Sequence, residues 1–417
     1  MRYFDINLNL SKEDILLRRS ARQFAQGVMR PVSRELDGLT AEQVIAADSP
    51  LWDFLKQAYE LDLHTVLLPE YYGGQGLSPL QVHLVFEELG WASFGLSVQL
   101  AVVCFPFYLI CMSGNEEMIE TFVKPFCACR DGSIRGCWAI TEPDHGSDVI
   151  AVGEEYFSSK AMKGNVQARL EGDQYVINGQ KSAWVSGGSI ATHALLHVQI
   201  DPSKGFAGNG ICMVPLNLKG VSKGKPLEKV GQRDLNQGEL YFDNVVIPKA
   251  WMMCDPDFYV PFLDMILASA NLCMASWSTG LARAAFDESL SYAKQRVQGG
   301  RPLVQHYAMK QRIFDLFART ESCRAISRAA INLNLNLSPP HVEYSLWAKT
   351  QCTEMAFKNT HEAIQIWGGN GLTKEYVLEK LFRDARATLI EDGSNETLAR
   401  HGGHILAETY PRQVESF

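Results

Sequence analysis

The spacing of apolar residues changes twice along this chain, and these changes restrict the folds that it can adopt. As far as about residue 130 the spacing is helical, and Ser11 with Asp14 three residues later predicts an N-capped first helix. From about residue 135 to 250 apolar and polar residues alternate, which is typical of half-buried strands. After residue 257 the helical spacing returns. Four helices are predicted there, at 262–298, 304–336, 341–366 and 374–390.

The order helices, strands, helices predicts an α+β multidomain fold. A chain of 417 residues with 46% hydrophobic content can bury a large core divided among several structural units. We predict an N-terminal α-helical domain, a middle β-barrel-like domain and a C-terminal four-helix bundle, with limits at 1–134, 135–250 and 251–417.

Turn signals and apolar runs subdivide the middle region. Gly172-Asp173 and Asn178-Gly179 each predict a tight turn. Strands are predicted at 193–200, 210–216 and 239–248. The region should therefore form one β unit between the two helical ones.

Net charge and cysteine usage argue against several classes of function. A net charge of −8 gives no reason to expect nucleic acid or an anionic membrane as partner. The ten cysteines form no metal-like pairs, so we predict no metal site and reduced, mostly buried thiols of a cytoplasmic protein. The most apolar run, 97–112, falls short of the ~20 residues that a spanning helix needs. We predict a buried helix there, no membrane insertion and no export signal at the N-terminus.

Familiar nucleotide-binding motifs are absent from the sequence. No GxGxxG follows a predicted strand and opens a helix, and no GxxxxGK[ST] loop occurs. A Rossmann fold is therefore disfavoured, and any nucleotide must be bound by another geometry.

Four segments in a fixed order carry a resemblance to a known family. They are WAITEPDHGSD at 138–148, KSAWVSGG at 181–188, QIWGGNGL at 365–372 and LFRDARATLIEDGSNE at 381–396. With these segments the chain resembles the acyl-CoA dehydrogenase family of FAD flavoproteins over nearly its whole length. The second segment is similar to the family strand whose aromatic residue packs on the flavin. The third is similar to the Gly-rich turn that receives the FAD of a neighbouring subunit.

The resemblance implies a set of FAD and substrate contacts. Residue types suit these roles, since a flavin ring needs an aromatic floor and hydrogen-bond donors at its polar edge. Ser147 and Gly393 are implied to contact the acyl-CoA, although Ser147 also fits a plain turn or N-cap. Arg296 is implied to reach the FAD pyrophosphate across a subunit interface, although it also fits a helix C-cap. The implied FAD residues are Trp138, Ile140, Thr141, Trp184, Ser186, Arg296, Gln365, Gly368, Gly369, Ser394 and Glu396.

The catalytic base implied by the resemblance falls on Asp392, where glutamate is usual. It would take the proton α to the thioester carbonyl while a hydride leaves the β carbon for flavin N5, and its own backbone N–H would stabilise the thioester oxygen. The shorter side chain withdraws the carboxylate by about 1.5 Å. Glu391 is interpreted as a solvated acid at a helix end. The family's alternative base position, just before an arginine, falls on Ala270 with Asn271 after it, so no carboxylate stands there.

Three departures from the family pattern affect FAD and acyl contacts: Gly299-Gly300 replaces Phe-Gly, Tyr307 replaces a glutamine, and Asn271 replaces an arginine. The aspartate base resembles the alicyclic branch, which oxidises cyclohexanecarboxyl-CoA-type thioesters. No acid occurs in GWASFGLSVQLAVVC, at 90–104, so ordinary α,β-desaturation is favoured over a 1,4-elimination.

The resemblance also implies partners. A homodimer is the minimum assembly and a homotetramer is expected, because the implied FAD contacts are shared between subunits. The expected electron acceptor is an electron-transferring flavoprotein. Two other functions stay open: a nitroalkane-oxidase-like flavoenzyme that passes electrons to oxygen, and a non-catalytic interaction protein that kept the fold.

Overall fold

The computed structural model describes residues 9–409. The predicted domain limits at 1 and 417, and the first eight residues of the N-terminal stretch, lie outside the described residues. The helical part before the sheet contains α1 Lys12–Phe24, α2 Arg30–Asp37, α3 Ala41–Val44, α4 Pro50–Glu60, α5 Pro79–Ala92, α6 Phe94–Ser113, α7 Glu116–Met118 and α8 Lys124–Ala128.

The first helix begins where the sequence predicts. The Asp14 N–H donates to the Ser11 side chain at 3.0 Å and the Ser11 N–H donates to the Asp14 carboxylate at 2.9 Å, which forms a capping box. The turn Ala25–Met29 is π-helical and joins α1 to α2. Residues 69–78, a Gly-rich stretch before α5, form a loop with a short 3₁₀ turn at Glu70–Tyr72.

The middle unit is one mixed sheet of eight strands in the order β6-β7-β3-β2-β4-β5-β8, with β1 paired parallel to β4. Its three predicted strands are confirmed with shifts of one residue as β4, β5 and β7. The strands are β1 Gly136–Ala139, β2 Gln167–Glu171, β3 Gln174–Lys181, β4 His193–Gln199, β5 Asn209–Pro215, β6 Val221–Pro226, β7 Gly238–Pro248 and β8 Met252–Cys254.

Two local predictions in the middle unit differ from the structure. Gly172-Asp173 does form the turn between β2 and β3, but Asn178-Gly179 lies inside β3, at a register shift against β7. Gly179 has φ +133°, and a Cβ there would lie 2.7 Å from the Asn165 carbonyl oxygen, so the glycine serves a close backbone approach rather than a turn. The segment 181–188, expected as a strand, leaves β3 after Lys181 and continues as turns.

The C-terminal unit is the predicted helical bundle. Its four main helices begin and end within four residues of the predicted positions, and a fifth helix follows the turn after α12. These elements are α9 Tyr259–Gln295, β9 Val297–Gln298, β10 Arg301–Pro302, α10 Tyr307–Asn334, α11 Val342–Trp367, α12 Leu378–Thr388 and α13 Asn395–Thr409.

The N-terminal helices pack on the bundle through touching backbones and a buried ion cluster. A Cβ at Gly90 of α5 would lie 2.3 Å from the Trp277 carbonyl oxygen, and one at Gly280 of α9 would lie 2.2 Å from the Glu87 carbonyl oxygen. Beside this contact, buried Glu87 accepts hydrogen bonds from Arg283 on α9 at 2.7 Å and from Arg324 and Arg328 on α10 at 2.9 and 3.4 Å.

Two helices are apolar and long enough, by length and composition alone, to cross a membrane. They are α6 and α9, and 78% of the most apolar window of each is buried in the fold. The run predicted as a buried helix is thus part of α6, which extends over 20 residues with Pro106 inside it.

Candidate functional site

A cavity of about 550 Å³ lies where the three units meet. Val98 and Val102 of α6 line it on one side. The rest of the lining comes from the loop after β1, the turns after β3, the loop before β7 and the turn after α12. The polar and aromatic lining residues that matter below are Trp138, Thr141, Ser147, Trp184, Ser186, Lys229, Gln232, Gln237, Arg386, Glu391 and Asp392. Segments that are far apart in the sequence therefore converge on one chamber.

The turn between α12 and α13 presents Asp392 to this cavity. Asp392 has φ +51° and Gly393 has φ +96°, so the chain turns sharply through two left-handed residues. Neither the carboxylate nor the backbone N–H of Asp392 takes part in a hydrogen bond within residues 9–409. Both groups are therefore available to a ligand in the cavity.

Replacing Gly393 with alanine should disable this turn. The added Cβ would lie 2.4 Å from Ile150 Cδ1 and 2.8 Å from Leu398 Cδ2, at a φ that side chains other than glycine rarely adopt. Because a displacement of ~1 Å can reduce rates ~100-fold, we expect substrate-dependent flavin reduction to slow at least that much. Stopped-flow absorbance measures it, with Gly403→Ala as control, since a Cβ at Gly403 meets nothing within 4 Å. Equal rates in the two variants would contradict the assignment.

Two neighbouring contacts hold the turn in place. The Ser394 N–H donates to Ser147 Oγ at 3.0 Å, so Ser147 lines the cavity and also ties the loop after β1 to the turn. The Lys349 ammonium of α11 donates to the Gly393 carbonyl and to Asn395 Oδ1, each at 2.8 Å. The side chain of Lys349 is buried. The position of Asp392 is thus set by polar groups from two other segments, a half-buried serine and a buried lysine.

Glu391 is not the solvated helix-end acid that the sequence suggested. It lines the same cavity and accepts a hydrogen bond from Gln232 Nε2. Burial and then the adjacent Asp392 raise the pKa of the Glu391 carboxyl to about 8. Burial also raises the pKa of Asp392 to about 6, against the opposing charge of Lys349. Near neutral pH the two adjacent acids therefore hold different protonation states, with Asp392 ionised.

The rate of flavin reduction should follow the ionisation of Asp392. A base must be ionised to accept a proton, so kcat/KM is expected to rise as pH rises through about 6 and to level off above it. Replacing Lys349 with methionine removes the charge that opposes this shift, so the rising limb should move to higher pH. Steady-state pH profiles measure both effects. A profile that is flat between pH 5 and 7 would contradict the role.

Several residues predicted to contact a flavin gather on one side of the cavity. Trp138, Ile140, Thr141, Trp184 and Ser186 all line it. The Trp184 side chain is 59% exposed although it lies within the lining, so a flat aromatic ligand would cover a large apolar surface there. Thr141 and Ser182 share a hydrogen bond at 2.7 Å, and Gln237 donates to Ser186 Oγ at 2.9 Å. These residues fit an isoalloxazine ring.

Trp138 lines the cavity while its indole N–H is bound within the protein. Its indole N–H donates to His197 Nε2 at 2.9 Å, and its ring lies 5.5 Å from that of Phe105. His197 Nδ1 in turn lies 2.9 Å from the Tyr259 hydroxyl. The Trp138 side chain thus connects β1, β4 and α9 at the cavity wall.

The other predicted FAD residues lie outside the cavity. Ser394 directly precedes α13, and its Oγ donates to Thr397 Oγ1 at 3.1 Å. Glu396 lies in the first turn of α13 and is exposed. The remaining four, Arg296, Gln365, Gly368 and Gly369, are exposed at the far end of the bundle.

Tyr292 brings two of those exposed segments together. Its ring stacks on Trp367 at 4.0 Å, directly before the Gly-rich turn, and its hydroxyl accepts from Asn370 Nδ2 at 3.1 Å. Arg296 follows one helical turn after Tyr292. The end of α9 and the Gly-rich turn therefore form one exposed surface.

The residues that depart from the family pattern lie in different parts of the fold. Asn271 is buried in α9 and donates to the Leu267 carbonyl at 2.9 Å, beside buried Ala270. Tyr307 is 87% exposed at the start of α10, close in sequence to the Gly299-Gly300 turn between β9 and β10. No group of three or more metal-ligating side chains is found within residues 9–409.

Sequence reasoning missed Gln232, Lys229 and Lys349 as well as Glu391. Gln232 and Lys229 lie in a loop before β7 with no regular pattern, and Lys349 is one of several polar residues in a helical stretch. The one available signal was the place of Glu391 directly before the predicted base, in the same turn.

Three family models match the chain, and together they cover most of it. They are the acyl-CoA dehydrogenase N-terminal domain at residues 11–130, the middle domain at 137–245 and the C-terminal domain at 264–406. These are the domains of an FAD-dependent oxidoreductase. The chain belongs to the acyl-CoA dehydrogenase family, whose members are FAD flavoproteins.

Curated relatives and solved structures agree with the family. The probable acyl-CoA dehydrogenase YngJ of Bacillus subtilis is 31% identical, with 94% of this chain and 97% of the relative covered. The cyclohex-1-ene-1-carbonyl-CoA dehydrogenase of Geobacter metallireducens is 28% identical, with 95% and 99% covered. The structure of butyryl-CoA dehydrogenase from Megasphaera elsdenii has a TM-score of 0.84 at 25% identity, covering 96% of this chain and all of the other. A nitroalkane oxidase structure has a TM-score of 0.87 at 20% identity, covering 97% and 98%, which shows a shared fold.

Proposed function

We propose that this protein desaturates the α,β bond of an acyl-CoA thioester and that Asp392 is the base that removes the α proton. The observation that carries the proposal is a carboxylate that lines the cavity without a protein hydrogen bond among residues 9–409, opposite residues that fit a flavin. The bound flavin supplies the hydride acceptor for the β carbon. The free Asp392 N–H is suited to donate to the thioester oxygen as negative charge develops there.

The proposed acyl group is α-branched or alicyclic, of the cyclohexanecarboxyl-CoA type. Asp392 is one methylene shorter than glutamate, which leaves room beside the α carbon. The relative named cyclohex-1-ene-1-carbonyl-CoA dehydrogenase covers nearly the whole chain. Apolar lining from Val98, Val102, Val149 and Ile150 suits a hydrocarbon ring.

Assembly and electron transfer are proposed from the exposed end of the bundle. Arg296 and the Gly-rich turn form one surface away from the cavity of their own chain, which supports FAD binding across a homodimer or homotetramer. An electron-transferring flavoprotein is the proposed acceptor. A cytoplasmic location is proposed from ten free cysteines, nine of them buried.

An anaerobic titration with acyl-CoA thioesters tests the reaction. We expect cyclohexanecarboxyl-CoA to bleach the flavin absorbance faster than straight-chain thioesters do. Bleaching by straight-chain thioesters alone would support the dehydrogenase activity and overturn the proposed alicyclic acyl group. Failure of every thioester, with bleaching by a nitroalkane and rapid reoxidation in air, would favour a nitroalkane-oxidase-like activity. A protein that stays colourless after FAD addition would favour a non-catalytic role.

A further inference from the structure

Glu391 is held in the cavity by a rigid partner. Gln232 is buried, and its backbone N–H donates to Asp384 Oδ1 at 2.5 Å while its side chain donates to Glu391 Oε1. Asp384 is itself fixed by Lys380 at 2.5 Å. Gln232 has φ +49°, a strained conformation for a residue with a side chain. The residue that hydrogen-bonds Glu391, Gln232, is therefore itself held by buried groups of α12.

The second oxygen of Glu391 is available to a ligand. Within residues 9–409 the only hydrogen bond to its carboxyl comes from Gln232. Much of the surrounding lining is apolar, from Val98, Val102, Ile150 and Ile390. A plain hydrocarbon packed against this oxygen would desolvate it without offering a hydrogen bond in return, which disfavours binding.

The charges around Glu391 restrict what it can bind. Asp392, Lys349 and Lys229 are the titratable groups that act on it, and Glu228 and Arg386 also line the cavity. The two lysines disfavour a cationic substituent, and ionised Asp392 disfavours an anionic one. Burial and Asp392 keep Glu391 protonated near neutral pH, with a pKa of about 8. A protonated carboxyl clamped at one oxygen can donate one hydrogen bond into the cavity.

We propose that Glu391, held by Gln232, selects acyl groups that carry a neutral hydroxyl or carbonyl substituent, and that it does so by a direct hydrogen bond to that substituent. This inference rests on the proposed acyl-CoA dehydrogenation and narrows its substrate class from hydrocarbon acyl groups to oxygen-substituted ones. Glu391 thereby determines specificity, while Asp392 acts as the base.

The test compares matched pairs of thioesters in three proteins. The pairs are cyclohexanecarboxyl-CoA with its 3-hydroxy, 4-hydroxy and 4-oxo derivatives, and pentanoyl-CoA with 5-hydroxypentanoyl-CoA. The proteins are wild type, Glu391→Gln and Glu391→Leu. Glutamine keeps an oxygen for Gln232 and an N–H for the ligand, so it imitates the protonated acid at every pH. Leucine removes both groups.

In the wild type, kcat/KM should favour at least one oxygen-substituted member about tenfold or more, since an unpaired buried polar group weakens binding by about that factor. Glu391→Leu should invert the preference by lowering kcat/KM for that member and raising it for the hydrocarbon. Glu391→Gln should retain it. Above pH 8 the wild type should lose its preference for the oxo member, because ionised Glu391 no longer donates, whereas Glu391→Gln should keep it.

The outcomes separate this inference from the proposed function. If no thioester reduces the flavin in any of the three proteins, the proposed function fails and this inference fails with it. If thioesters reduce the flavin but wild type and Glu391→Leu show equal preferences, the dehydrogenation stands and the selection by Glu391 is overturned. Loss of FAD from Glu391→Leu, measured by its visible spectrum, would also overturn it, since Glu391 would then contact the cofactor.

Discussion

Replacing Asp392 with asparagine is expected to slow substrate-dependent flavin reduction by about 10²- to 10⁴-fold, the usual contribution of a positioned general base. Asparagine has nearly the shape of aspartate but cannot take up the α proton. The left-handed turn at φ +51° also tolerates asparagine well, so the geometry of the turn is retained. Stopped-flow absorbance under anaerobic conditions gives the rate.

Two measurements make the result specific. The variant should keep its flavin spectrum and still bind a non-reducible thioether analogue, because only the proton transfer is removed. Asp392→Glu should keep part of the activity and shift the order of preferred thioesters, since it moves the carboxylate by one methylene. If Asp392→Asn reduced the flavin at the wild-type rate, another group would have to be the base. Glu391 is the nearest carboxyl along the chain.

Replacing Glu87 with glutamine is expected to lower the stability of the native protein by about 3–5 kcal/mol, the range for removing one partner of a buried ion pair. Arg324, Arg283 and Arg328 share this one carboxylate, which joins α5 to α9 and α10. Although burial alone would raise the pKa of Glu87, Arg324 and Arg283 hold it well below its ordinary value. The carboxylate is thus charged at neutral pH.

The matched control is Glu120→Gln. Glu120 pairs with Lys124 on an exposed helix face, where an ion pair contributes about 0–1 kcal/mol. Thermal melts of the FAD-bound proteins compare the two, and Glu87→Gln should lower the Tm clearly more than the control does. Equal melting temperatures would show that the arginines do not depend on this carboxylate. Melting temperatures are compared because chains of several units commonly unfold in more than one step.

Much of the architecture was predictable because it follows from local patterns. The capping box at Ser11 and the four long bundle helices depend on residue spacing within one element, and the structure confirms them. Asn178-Gly179 was misread because a glycine required by a neighbouring backbone looks the same in sequence as one required by a turn. The family itself was recognisable from four short segments in order.

What the sequence determined by itself was therefore the order of the units, the family and the position of the acid in the final turn. What only the tertiary structure decided was which side chains surround that acid. Glu391, Gln232, Lys349 and Ser147 come from four separate segments, and none of these contacts follows from periodicity. The physical reason is that a pattern reports which face of an element is buried, whereas the charge and pKa of a buried group depend on the groups that the fold brings against it.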